Sequence, residues 1–83
     1  MSDDYQRVLA RLLEHIQAKA GQEPVVEADT DLVDDVGLDS MSVMDMIMHI
    51  EDEFDVVVPV NQLADIRTPS QLAQLILRLE EET

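Results

Sequence analysis

Three stretches of this chain place apolar residues at helical spacing, and polar or acidic residues separate them. In the first, residues 3–19, Tyr5, Val8, Leu9, Leu12, Leu13 and Ile16 recur every three or four positions, the period of a one-sided helix. Ser2 can cap it, Asp3 and Asp4 suit its positive end, Lys19 suits its negative end, and Gly21 is a stop. The second, Ser40 to Phe54, carries two stripes. Val43, Met46, Ile47, Ile50 and Phe54 form one, and Met41, Met44 and Met48 form another roughly 130° around the axis. The first stripe is the core face. The second is left for solvent or for a partner, since a small protein has no second core to cover it. The third stretch turns Leu72, Leu75, Ile76 and Leu79 to one side and runs to about Glu80. Thr68-Pro69-Ser70-Gln71 opens it: a cap, a proline at the first helical position and a glutamine that can close a capping box.

The connections differ in kind. Residues 21–39 form a long loop rich in acids, with Pro24 against helix and Val25, Val26, Leu32, Val33, Val36 and Leu38 as apolar pins. Asp55-Val56-Val57-Val58-Pro59 has the residues of a strand but no second strand to pair with, so it reads as an extended connector with buried valines. Residues 60–66 fit a short helix carrying Leu63 and Ile66. The expected fold is all-α: a small four-helix bundle of three long helices and one short one, with a long first loop, in a single domain spanning residues 1–83.

Charge narrows the function. Nineteen acids against five Lys and Arg give a formal charge of −14, which excludes ordinary nucleic-acid binding and disfavours anionic membrane surfaces. It favours partners with basic patches. No apolar run approaches the roughly 20 residues of a membrane span, and the polar start Met1-Ser2-Asp3-Asp4 is unlike a signal peptide, so a cytoplasmic monomer is expected. The chain has no cysteine, hence no disulfide or thiolate site. Asp29 and Asp31 match the first positions of a calcium loop, but Val33 and Asp34 break the pattern where a ligand and a glycine are needed, and no specific metal site is expected. His15 beside the first stripe reads as a surface or half-buried residue. His49 falls on the opposite side of its helix from Ser40 and cannot serve as its base.

The chemistry gathers at Gly37-Leu38-Asp39-Ser40-Met41. A glycine turn leads into a helix start where Asp39 or Ser40 can be the N-cap. A phosphodiester on the Ser40 hydroxyl would meet the free N–H groups and positive pole of the helix, with Asp39 opposing it through like charge. The competing reading makes Ser40 a cap and nothing more.

Gly37-Leu38-Asp39-Ser40-Met41 resembles the G-x-D-S-L signature of the acyl carrier proteins, and Ile50-Glu51-Asp52-Glu53-Phe54 followed by Val58-Pro59 resembles that family's acidic helix end and its proline step. The resemblance spans essentially the whole chain. It implies that Ser40 carries 4′-phosphopantetheine, taken from coenzyme A by a phosphopantetheinyl transferase, and that the thiol of the arm holds acyl or aminoacyl groups as thioesters. It implies no catalysis by the chain itself, only presentation of cargo to loading enzymes and downstream synthases. Asp39 and Met41 would flank the attachment point, with Asp39 serving recognition by the transferase. Met44, Asp45, Met48, Glu51 and Asp52 would form the docking face. Ser42 stands where many fatty-acid carriers have an acid, His49 where a small residue is common, and three methionines replace the usual mixture, so fatty-acyl, polyketide-type, aryl and aminoacyl cargo all stay open. The alternative is a helical interaction module without a prosthetic group, using the Met41, Met44 and Met48 face to hold a partner helix.

Overall fold

The computed structural model describes residues 3–22 and 25–82, apart from the side chains at positions 3, 40 and 82. The proposed cap at Ser2 and the break at Pro24 fall outside the described residues. Four helices follow in order: α1 (Asp3–Ala20), α2 (Ser40–Phe54), α3 (Val60–Leu63) and α4 (Pro69–Glu82), and no strand occurs among the described residues. α1 packs chiefly along α4 and more lightly on α2. The Cα radius of gyration is 11.8 Å, the value expected of a packed chain of this length.

Each helix forms for the reason its spacing gives. Val8, Leu12 and Ile16 of α1 are fully buried, as are Ile50 of α2 and Ile76 of α4; Leu72 and Leu75 are almost so. Each such side chain contributes roughly 1.5–3 kcal/mol by leaving water. Val43 and Leu79 are half-buried at the edge of this cluster. α1 ends where Gly21 turns to φ 85° and donates its N–H to the Gln17 carbonyl at 2.9 Å. The Gln17 side chain then accepts from Val26 N–H at 2.8 Å and turns the loop back along α1. α4 opens with the expected reciprocal cap: Gln71 N–H donates to Thr68 Oγ1 at 3.2 Å, and Thr68 N–H to Gln71 Oε1 at 3.1 Å.

The long first loop departs from expectation in two places. Val26, Leu32 and Leu38 are buried, but Val25 is 71% and Val33 is 52% exposed, so neither of these two pins the loop. The cause at Val33 is Asp31, whose Oδ1 accepts from the N–H groups of Val33 at 2.9 Å and Asp34 at 2.7 Å. The resulting turn sends Leu32 inward and Val33 outward. At the other site, the bond from Val26 N–H to Gln17 directs Val26 inward, and its extended neighbour faces water. Polar bonds complete the pinning: Leu32 N–H donates to the Arg67 carbonyl at 2.8 Å, and Ser70 N–H to the Ala28 carbonyl at 3.0 Å.

α3 is also shorter than residues 60–66. It stops at Leu63, and the chain tightens through Asp65 N–H to Gln62 O and Ile66 N–H to Leu63 O before Pro69 starts α4. The preceding connector is extended as expected, but only in part buried: Val56 and Val58 face the core, while Val57 is 79% exposed. It begins at Asp55, which adopts the left-handed conformation at φ 57° and closes α2 by donating its N–H to the Glu51 carbonyl.

Candidate attachment site and docking face

The site is built on the start of α2. Gly37 takes φ 80°, where a side chain would be strained, and no other atom crowds it. That turn delivers Asp39 in an extended conformation as the N-cap. Its Oδ1 accepts from Ser42 N–H at 2.8 Å, and its carbonyl from Val43 N–H at 3.0 Å. Of the two residues able to cap, the fold uses Asp39. The Ser42 bond holds the Asp39 carboxyl below the usual carboxylate range. Ser40 is the first residue of α2, and its hydroxyl lies outside the described atoms. Its neighbours Asp39 and Met41 are both exposed, Met41 at 82%.

A phosphate-linked group fits this place. The N–H groups of residues 40 and 41 have no acceptor within the helix, and the helix dipole favours an anion there. Beside it opens a groove of about 560 Å³, walled by Val33 and Leu38 of the loop, Val43 and Met44 of α2, and Val60, Leu63, Ala64 and Ile66 of the α3 region. Two charged residues, Asp39 and Arg67, also line it. No residue pattern marks this groove, because its walls come from separate segments that share no period. Arg67 was likewise unmarked, lying singly before the Thr68 cap.

The predicted docking residues are placed less uniformly. Met48 is 63% and Met44 is 41% exposed, with Met44 also on the groove wall. Asp52 is exposed. Asp45 faces α1, where Lys19 Nζ lies 2.5 Å from its Oδ2 and holds the carboxyl below its ordinary range; His49 is 3.9 Å from the same oxygen. Glu51 is half-buried, and its Oε2 accepts from Val58 N–H at 2.8 Å, so it fastens the connector. A second seam joins the same helices: Glu53 receives Arg11 Nε at 2.5 Å, Arg11 Nη2 at 2.8 Å and His15 Nε2 at 2.8 Å. Those bonds, Arg11 first, pull the Glu53 carboxyl down to about 2.

Comparison with known proteins adds an independent finding. Residues 10–76 match the family described as the phosphopantetheine attachment site. The chain is 35% identical over 83 residues to the meromycolate extension acyl carrier protein of Mycolicibacterium aurum, covering 99% of this chain and 86% of the relative. It is 39% identical over 67 residues to the anthracycline acyl carrier protein DauA of Streptomyces sp. (strain C5), covering 77% of this chain and 80% of the relative. With the acyl carrier protein of Rhodococcus erythropolis it shares 32% over 83 residues, covering 99% and 91%.

Proposed function

The chain belongs to the acyl carrier proteins, whose cofactor is 4′-phosphopantetheine, and we propose that Ser40 is the residue bearing that arm. As a carrier it holds cargo for other proteins and is not itself an enzyme. The observation that carries the Ser40 reading is its place as the first residue of α2, behind the Gly37 turn and between two exposed residues. Asp39 already caps the helix through Ser42 N–H, which leaves the serine hydroxyl unneeded for that task. The N–H groups at the helix mouth favour the phosphodiester, and the Asp39 charge turns the arm outward.

The same reading assigns the chain a phosphopantetheinyl transferase, loading enzymes and downstream synthases as partners. They would meet Met41, Met44, Met48 and Asp52, with basic patches opposite the acids. Asp45 and Glu51 contribute field more than contact, since each is held by a bond within the chain. The groove beside Asp39 is the berth for an acyl chain on the tethered thiol. Relatives named for meromycolate extension and for anthracyclines span fatty-acyl and polyketide cargo. Among the described residues no helix is long and apolar enough to cross a membrane. We take the working form to be a cytoplasmic monomer of one domain.

Incubation with coenzyme A and a broad-specificity transferase tests the assignment by intact mass. The wild type should gain one phosphopantetheine, and Ser40→Ala none, with helical content unchanged. Modification that persists in the alanine variant would place the arm elsewhere.

A further inference from the structure

The groove beside the attachment point is not uniformly apolar: among the described residues that line it, Arg67 is the cation, and it is bonded to the loop. Resting on the reading that cargo hangs from Ser40, we propose that Arg67 is the specificity-determining residue of this groove, favouring acyl chains that carry a carbonyl or hydroxyl oxygen over saturated ones.

Of the two charged residues on the groove wall, Asp39 is committed to Ser42 N–H as a helix cap. Arg67 remains. Its carbonyl accepts from Leu32 N–H at 2.8 Å, which binds its backbone to the loop wall. Its Nε lies 3.2 Å from Asp31 Oδ2, and its Nη2 lies 3.0 Å from the same oxygen and 3.2 Å from Asp34 Oδ2. The Asp31 carboxyl is itself anchored by the Asp34 and Val33 N–H groups, which hold it below its ordinary range. These bonds tie the guanidinium to the loop beside the groove that Arg67 lines, with its side chain 52% exposed to water. These bonds use Nε and Nη2. Nη1, with two N–H groups, has no acceptor among the described residues.

An alkyl chain laid along this edge would strip water from Nη1 and offer nothing in return. An oxygen on the chain would accept a charge-assisted hydrogen bond. Such asymmetry discriminates better than apolar walls do, because a polar group left unpaired is penalised more than a missing methylene. The two aspartates leave the edge with excess negative charge, so the favoured oxygen is neutral, as in a ketone or alcohol. A carboxylate would meet Asp31 and Asp34.

The test loads the apo protein with two amide-linked pantetheine arms of equal length, one bearing octanoyl and one 5-oxo-octanoyl. Occupancy of the groove is read from methyl NMR shifts of Leu38, Val43, Leu63 and Ile66. The oxo chain should occupy it about tenfold more than the alkyl chain, the scale of one well-made hydrogen bond to a charged group. Arg67→Met should abolish or reverse that preference, and Arg67→Lys should keep part of it. A wild type indifferent to the oxygen overturns the proposal, and so does a preference that survives in both variants. Failure of the mass to rise on loading overturns the Ser40 reading and this proposal with it; loading without discrimination overturns this proposal alone.

Discussion

Glu51 of α2 accepts a hydrogen bond from the Val58 N–H at 2.8 Å, seven residues further along the chain. The bond crosses the left-handed turn at Asp55 and lashes the connector to the helix it has just left. Replacing Glu51 with alanine should therefore cost about 1–2 kcal/mol, because a half-buried backbone N–H loses its acceptor. Glutamine retains a carbonyl oxygen and should cost well under half of that. Urea denaturation of the two variants checks the difference; equal losses would mean that charge, and not the acceptor, is what matters.

Glu53 gives a pH dependence with a defined sign. Its carboxyl is drawn from 4.5 to about 2 in the folded chain, chiefly by Arg11 and then by His15. A depressed acid contributes stability that is complete above its unfolded value and is lost as pH falls from about 4.5 towards 2. The side chain faces solvent, so the contribution is screened to about 1 kcal/mol or less. The stability gap between wild type and Glu53→Gln should shrink across that window. A gap constant from neutral pH to pH 2.5 would show the seam to be inert.

Much of this architecture was legible in the chain, and what escaped has a physical pattern. The helices were readable because a one-sided helix repeats every 3.6 residues, and the α4 start because Thr68, Pro69 and Gln71 each have one local job. The cap choice between Asp39 and Ser40 was not, since both side chains suit it and only the approach from Gly37 decides. Val25 and Val26 could not be told apart, because the bond that selects Val26 comes from Gln17 on another element. Glu51 and Asp45 looked like free acids for the same reason: their partners, Val58 and Lys19, are distant in the pattern though close in space. The groove needed three separate segments folded together before it existed.

Salt should stabilise this protein. A formal charge of −14 works against the compact state, and monovalent salt shortens the reach of that repulsion to about 10 Å at 0.1 M. The ion pairs of Lys19, Arg11 and Arg67 weaken at the same time, but exposed pairs contribute little. The melting temperature should rise between 10 and 300 mM sodium chloride, and millimolar magnesium should raise it further. A flat or falling curve would show that the pairs, not the repulsion, dominate.

The exposed methionines should be separable from the core by substitution. Met44→Ala and Met48→Ala should each cost less than the roughly 2–5 kcal/mol of a buried methionine, while slowing transfer of the arm or cargo by a partner. Asp52→Lys should slow partner encounter most at low ionic strength, with the difference closing as salt rises. Asp52 is the clean probe, because reversing Asp45 would also break its pair with Lys19. Unfolding of either methionine variant, or partner kinetics untouched by all three, would remove this face from consideration.

The alternation of Val56 and Val58 inward with Val57 outward means that the α2–α3 connector counts in twos. Inserting a single residue between Asp55 and Pro59 would exchange the buried and exposed valines and rotate the groove wall at Val60 out of phase. Inserting two would restore the phase and merely lengthen the span. Length variation at this connector is thus constrained by parity more than by size, and a homologue that differs here by one residue must carry a compensating change in its valine pattern.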